Sequence, residues 1–374
     1  MKFTVNRDEL LFSINHVSKA LSAKVQMPAM SGILMEVEKD ILYLTATNSD
    51  ISIKVSILQG ENLQIEEPGS VLLPGKYLLD AVRKIDSKDI TFAIFEETIL
   101  KIYAYKSNIS MNILDKTNFP MLTFDESNIV VNLKSEQLKR IIRKTSFATS
   151  LSESKSVLMG VHLTVENTEI QSVATDGFRL ARKKIVLDKN NPKTSVIIPR
   201  KSLEEINRIV EDFECTVEIH LFLTKALIKY KNILFQTRLI EGVYPNTQNL
   251  IPENYLTHIK FNKTELINAI ERTTVFTNLE ENTVVKIVTD PNKVIKLNSV
   301  NNEIGNVVEE ITPIDVDLAI SFQIACSAKY LIEALRAFDS TEVTIHFTGE
   351  LKPFVLTGEK DDNLVQLIVP IRVV

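Results

Sequence analysis

The chain has 374 residues, 44% hydrophobic and 24% charged side chains, ten Gly and twelve Pro; at about 150 residues per domain this is a folded chain of two to three domains, not a disordered or collagenous one. Its longest stretches without a charge, one of them between Lys24 and Glu36, fall short of the ~20 apolar residues that span a bilayer. A formal charge of −5 excludes a wholly basic coat, but not one basic surface on an acidic body.

In chain order, Arg7, Asp8 and Glu9 break any signal-peptide core, so the expected compartment is the cytoplasm. DELLFSINHVSKAL from Asp8 has amphipathic helical spacing, with Asn6 and Glu9 at capping-box distance. Ile51, Ile53, Val55 and Ile57 alternate with polar partners, as a half-buried strand does. Gly69 to Tyr77 approaches a phosphate loop, but five residues separate its glycines instead of four, and Tyr77 replaces the metal-binding hydroxyl. A turn into the helix KYLLDAVRKI from Lys76 is expected there. Phe119-Pro120 closes this stretch.

SEQLKRIIRKTSFA from Ser135 buries Leu138, Ile141 and Ile142 and places Lys139 with Arg143, and Arg140 with Lys144, at i, i+4 on the outside. KSLEEINRIV from Lys201 has Ser202 and Glu205 at capping-box spacing, and Tyr244-Pro245 closes the middle stretch. TELINAIERTTVF from Thr264 and KYLIEALRAF from Lys329 follow, and Val343, Ile345 and Phe347 alternate with an outward His346.

These elements repeat. Glu9, Glu136 and Glu265 recur at intervals of 127 and 129 residues, and Lys76, Lys201 and Lys329 at 125 and 128. The period is too long for a solenoid, so each repeat is a domain: 1–123, 124–255 and 256–374, each α+β with two helices on a mostly antiparallel sheet. Comparable helix faces carry Lys19, Arg83, Lys84, Lys201, Arg208, Arg272 and Arg336. Such a lining meets phosphates without reading bases.

Catalytic chemistry is missing from the pattern. Cys215 and Cys326 lie outside any CxxC and are expected to pack, in a reducing compartment. The five histidines have no metal-ligand spacing. Glu96-Glu97, Glu309-Glu310 and Asp361-Asp362 stand without a nucleophile or base and are expected to be turns or solvated edges. Neither an enzyme nor a cofactor or metal is expected.

MKFTV at the start, VATDGFRLA from Val173, SVIIPRK from Ser195, YPNTQNLIP from Tyr244 and the terminal VPIRVV together resemble the bacterial DNA polymerase III beta subunit family, the sliding clamps, over the whole chain. The resemblance implies the DNA clamp fold: a homodimeric ring of six similar domains, helices lining a hole around duplex DNA and antiparallel sheets outside. It implies a processivity factor without catalysis that tethers the polymerase. DNA contacts then fall on Lys24, Ser152, Lys155, Arg200 and Lys201, beside the helical Lys139, Arg140, Arg143 and Lys144. Ser156 and Val157 stand where other members carry adjacent aromatics. A pocket for short extended peptides falls on Leu158, Thr175, Gly177, Phe178, Arg179, Leu180, Pro245, Leu250, Val369, Pro370, Ile371 and Arg372. Its implied partners are the polymerase III alpha subunit, the clamp loader, other polymerases and repair proteins. Phe178 replaces the family's usual His, and the tail ends Ile-Arg-Val-Val instead of Met-Arg-Leu; both bear on peptide preference. The dimer seam falls on Ile109 and Met111, and on Val275 and Phe276.

Overall fold

The computed structural model describes residues 1–22, 28–276, 283–289, 294–301, 303–317 and 321–372. Lys24 and the last two residues of the tail lie outside the described residues.

Among the described residues the α-helices are α1 (Arg7–Val17), α2 (Gly75–Lys84), α3 (Ser135–Thr145), α4 (Arg200–Ile209), α5 (Lys263–Thr273) and α6 (Ala328–Arg336). Local chemistry sets their starts. The Asn6 side chain accepts from the Asp8 and Glu9 N–H groups at 3.0 and 3.3 Å, Asn262 accepts from Glu265 N at 3.1 Å, and Ser327 Oγ accepts from Tyr330 N at 3.3 Å. Helix α4 departs from expectation. Its strand runs to Pro199 and the helix begins at the next residue, which leaves Ser202 buried inside the helix instead of capping it. Similarly, the strand Gly69–Pro74 passes directly into α2 at Gly75, so no loop exists there to cradle a phosphate.

The described strands pair antiparallel, and the chain forms two compact units. The first holds residues 1–136 and 205–239. In it an eight-stranded sheet runs from Val130–Lys134 through Thr216–Leu221, Lys225–Tyr230 and Ile233–Arg238 to Ile51–Leu58, Ile41–Thr47, Gly32–Val37 and Gly69–Pro74. Ile233 pairs with Val55 and Phe235 with Ile53, which stitches the middle of the chain to its beginning. Ile51, Ile53, Val55 and Ile57 are all buried, as their alternation requires. A second sheet orders Leu63–Glu67, Lys2–Asn6, Asp89–Phe95, Ile99–Ala104 and Ser107–Asn112.

The second unit holds residues 137–204 and 240–374. Its seven-stranded sheet orders Gly160–Thr175, Arg179–Pro199, Leu364–Ile368, Phe354–Gly358, Glu342–Phe347, Thr257–Asn262 and Asp315–Asp317. A four-stranded sheet orders Gly305–Ile311, Ile295–Asn301, Val284–Thr289 and Gln323–Ser327. Ile259, Phe261, Ile345, Phe347 and Leu356 share one core with Leu266 and Ile270 of α5 and Leu331 and Leu335 of α6.

Helix α3 corrects two expectations. Leu138, Ile141 and Ile142 are buried, but so are Lys139 and Lys144; of the four cations, Arg140 and Arg143 are exposed. Lys144 Nζ lies 2.9 Å from Asp361 and 2.8 Å from Asp339. Asp361 does lie in a turn, between the strands Phe354–Gly358 and Leu364–Ile368, but its carboxylate is buried and paired, not solvated. Burial pushes its carboxyl up, but N–H groups of Asp339 and Ser340, the Ser340 hydroxyl and Lys144 outweigh that and hold it down at about 2. Gln366 Nε2 adds a bond to Lys144 O at 3.0 Å, and Lys183 Nζ donates to Asp362 O. A cation so enclosed needs its carboxylates, because an unpaired buried charge costs several kcal/mol.

Asp361→Asn should lower unfolding stability by about 3 kcal/mol, whereas Lys144→Met with Asp361→Asn should lose less than the two single changes together. Denaturant titration measures both. A carboxyl depressed from 3.8 to about 2 stabilises the fold fully above its unfolded value and loses that contribution as pH falls through about 2.

Candidate functional site

The seven-stranded sheet has a second apolar face. Leu356 and Ile368 belong to the main core, while their neighbours Val355 and Leu367 point the other way and join Leu158, Val173, Leu180, Ile197 and Tyr244 in a separate buried cluster. Val157, Ile240, Ile251, Val365 and Val369 pack at its margin.

The turn Thr175–Phe178 borders this cluster. Asp176 Oδ1 accepts from the N–H groups of Phe178 and Arg179 at 2.8 and 3.0 Å, and Thr175 Oγ1 accepts from Gly177 N at 3.1 Å. Gly177 has φ +95°, which a side chain rarely adopts. Tyr244 fixes the turn from the other side, its hydroxyl accepting from Thr175 N at 3.1 Å and its ring stacking on His162 at 4.7 Å. Burial pushes the Tyr244 phenol up and the His162 imidazole down, so both favour the neutral form. The sequence marked Tyr244 as part of a linker and of a family motif, and His162 only as one of five histidines without metal-ligand spacing.

The chain end completes the site. Val369 N donates to Phe178 O at 2.9 Å and Ile371 N donates to Ala325 O at 2.7 Å, while Pro370 has no N–H. The tail's donors from 369 to 371 are thus engaged, and an extended ligand beside it would meet carbonyl groups. Gly177, Phe178, Pro245, Leu250 and Arg372 are exposed, Val369, Pro370 and Ile371 are half-buried, and Leu158, Thr175 and Leu180 form the buried floor.

Arg179 does not line this face. Strand alternation turns it away from Leu180, and it is buried against Asp176 Oδ2 at 3.0 Å, Glu333, Phe147 O at 2.7 Å and the ring of Tyr330 at 4.2 Å. It braces the turn against α6.

The remaining cations are dispersed. Ser152 is exposed, with its hydroxyl 2.8 Å from that of Ser154. Lys155 Nζ donates to Asp176 O at 3.1 Å and lies 5.3 Å from the Phe178 ring, so it leans on the turn. Lys201 is exposed and Arg200 is bound to Glu204 at 2.6 Å. Arg208 meets Glu205 at 2.6 Å, Arg272 meets Glu309 at 2.9 Å and Arg336 meets Glu271 at 2.8 Å. Carboxylates thus offset many of the helix cations that the sequence pattern counts as a positive lining.

Among the described residues each unit also has a sheet that ends in an edge strand. Ile109 and Met111 lie on the edge strand Ser107–Asn112, half-buried, opposite Ile102 and Leu100. Val275 and Phe276 are exposed just after α5; Phe276 O accepts from Asn301 Nδ2 at 3.0 Å, and its ring lies near Gly305, where the edge strand Gly305–Ile311 begins. That second edge strand is absent from the sequence reading.

Among the described residues no group of three or more His, Cys, Asp or Glu could hold a metal, and no helix is long and apolar enough to cross a membrane. Burial pushes the Cys326 thiol up to about 12, the behaviour of a packing residue.

Three domains of one family match the chain in order: the N-terminal domain of the DNA polymerase III beta subunit at residues 1–123, the central domain at 132–246 and the C-terminal domain at 248–372. The chain belongs to the DNA polymerase III beta subunit family. The beta sliding clamps of Staphylococcus epidermidis and Staphylococcus aureus are both 36% identical to it, over 100% of this chain and 99% of theirs. The crystal structure of a DNA polymerase sliding clamp from Bacillus subtilis superposes with a TM-score of 0.95 at 34% identity, covering 100% of both chains. The beta subunit of Streptococcus pyogenes gives 0.94 at 32%, with the same coverage. The fold is the three-domain clamp fold, mixed helix and antiparallel sheet. Members of this family are non-catalytic sliding clamps, and the chain is one of them.

Tyr244→Phe removes the acceptor of the buried Thr175 N–H and should cost about 1–2 kcal/mol of stability while keeping the ring stack. Thermal unfolding beside the parent protein checks it.

Proposed function

We propose that two copies of the chain close into a ring around duplex DNA and that the apolar site of the second unit tethers replication proteins to it. The family match along the full chain carries this reading. The repeats at 1–123, 124–255 and 256–374 are the three domains of each copy. The seam joins the edge strand of Ile109 and Met111 to the edge beside Val275 and Phe276, since paired edges remove two sticky surfaces. The cytoplasm is the proposed compartment, and no cofactor is needed.

DNA contacts are assigned to Arg140, Arg143, Ser152, Arg200 and Lys201, with Lys24 and Lys155 as further cations. Lys139 and Lys144 are left out because they are buried. Sliding requires attraction without register: flexible cations draw phosphates through screened forces that read no bases. Acids beside the cations serve this by keeping each contact weak.

Partner peptides of the polymerase III alpha subunit, the clamp loader, other polymerases and repair proteins would bind over Leu158, Leu180 and Leu367, beneath Val369 to Arg372. Such a site joins a desolvating floor to backbone acceptors, the combination by which extended peptides are held.

Sedimentation equilibrium should give a species near twice 42.3 kDa; a monomer at every concentration would sink the ring. Arg140→Glu with Arg143→Glu should reduce retention on nicked circular DNA by about tenfold on any sequence, and cutting the circle should release the parent protein. Deleting Ile371 to Val374 should abolish polymerase-peptide binding and leave the dimer intact.

A further inference from the structure

Arg182 differs from six other arginines of the chain. Arg83, Arg179, Arg200, Arg208, Arg272 and Arg336 each face a carboxylate. Arg182 is half-buried, makes no ion pair among the described residues, and its Nε–H is buried without an acceptor. Burial accordingly pulls its pKa down, with Glu169 and Tyr255 opposing. Glu169 is already engaged by Lys184 at 3.0 Å. A half-buried guanidinium left in this state is costly, and an incoming anion would relieve the cost.

Its position says which anion. Arg182 lies two residues from Leu180 on the same strand face, about 7 Å along. In register it sits between Val173 and Val365, both members of the apolar site. Tyr255 is nearby, its ring packed on His346 at 4.8 Å. With Lys184 occupied, the place offers one cation without an ion pair among the described residues, flanked by Val173 and Val365. A single carboxylate suits this better than a phosphate, which calls for several donors.

We propose that Arg182 is the acidic-residue subsite of the peptide site: a partner peptide whose apolar anchor covers Leu180 and Leu367 carries an Asp or Glu two residues from that anchor. The assignment rests on the peptide-tethering reading above and adds the chemistry of the ligand to it.

The test uses the full chain and short synthetic peptides with a Leu-Leu anchor, bearing Asp or Asn two residues to either side, followed by fluorescence anisotropy. On one side the Asp peptide should bind the parent protein about tenfold tighter than its Asn counterpart, the size expected for a charge-assisted hydrogen bond. Arg182→Gln should reduce the Asp peptide to the Asn affinity and leave the Asn affinity unchanged, with Arg182→Lys restoring part of the preference. Equal binding of Asp and Asn peptides by the parent protein overturns the assignment, as does a preference that survives Arg182→Gln. Displacement of the Asp peptide by inorganic phosphate at concentrations that spare the Asn peptide would give the subsite to phosphate and overturn it too. If no peptide binds at all, the tethering site itself fails, and Arg182 with it.

Discussion

The second unit depends on one pairing of distant strands: Arg179 to Lys183 against Leu364 to Ile368, with Leu180 opposite Leu367. This ladder carries the end of the chain to the Thr175–Phe178 turn, where Val369 N meets Phe178 O. It also sets the register that places Leu180, Leu367 and Val355 on one face and leaves Leu356 and Ile368 to the opposite core. A slip of one residue would exchange the two faces and dismantle the site with the core. Ion pairs guard that register at both ends, Arg179 with Asp176 and Glu333 at one and Lys144 with Asp361 at the other.

Short-range patterns were legible in the sequence. The helices began near their predicted starts because Asn6 and the apolar spacing act within one turn, and Ile51 to Ile57 were buried because alternation acts within one strand. Long-range pairings were not. Lys139 and Lys144 stood at the borders of the apolar stripe of α3, where helical spacing alone leaves a cation free to face either way. Asp361, 217 residues from Lys144, decides the matter for Lys144 by offering it a buried carboxylate. Ser202 misled for a related reason: a capping box is a local signal, and the long strand ending at Pro199 overrode it.

The apolar site was legible only through family resemblance. Thr175-Asp176-Gly177 alone describes an ordinary turn, and nothing local distinguishes Leu180 on the site face from Leu356 in the core. Arg179 and Arg182 show how closely such positions must be separated. Three residues apart on one strand, they point to opposite faces; one is enclosed by partners, and the other keeps a buried donor without any.

That contrast bears on how the site can choose its ligands. An apolar floor of Leu and Val accepts many side chains, because one methylene more or less is worth only about 1–3 kcal/mol. Discrimination has to come from polar groups whose needs a wrong ligand leaves unmet. Around this floor Tyr244 bonds to Thr175, Asp176 to its own turn, and the tail N–H groups to Phe178 and Ala325. These groups hold the site in shape and are already satisfied. Among the described residues on that face, Arg182 keeps a buried donor without an acceptor; on the proposed peptide-tethering reading, selectivity beyond hydrophobic fit falls to it and to the carbonyls of the tail.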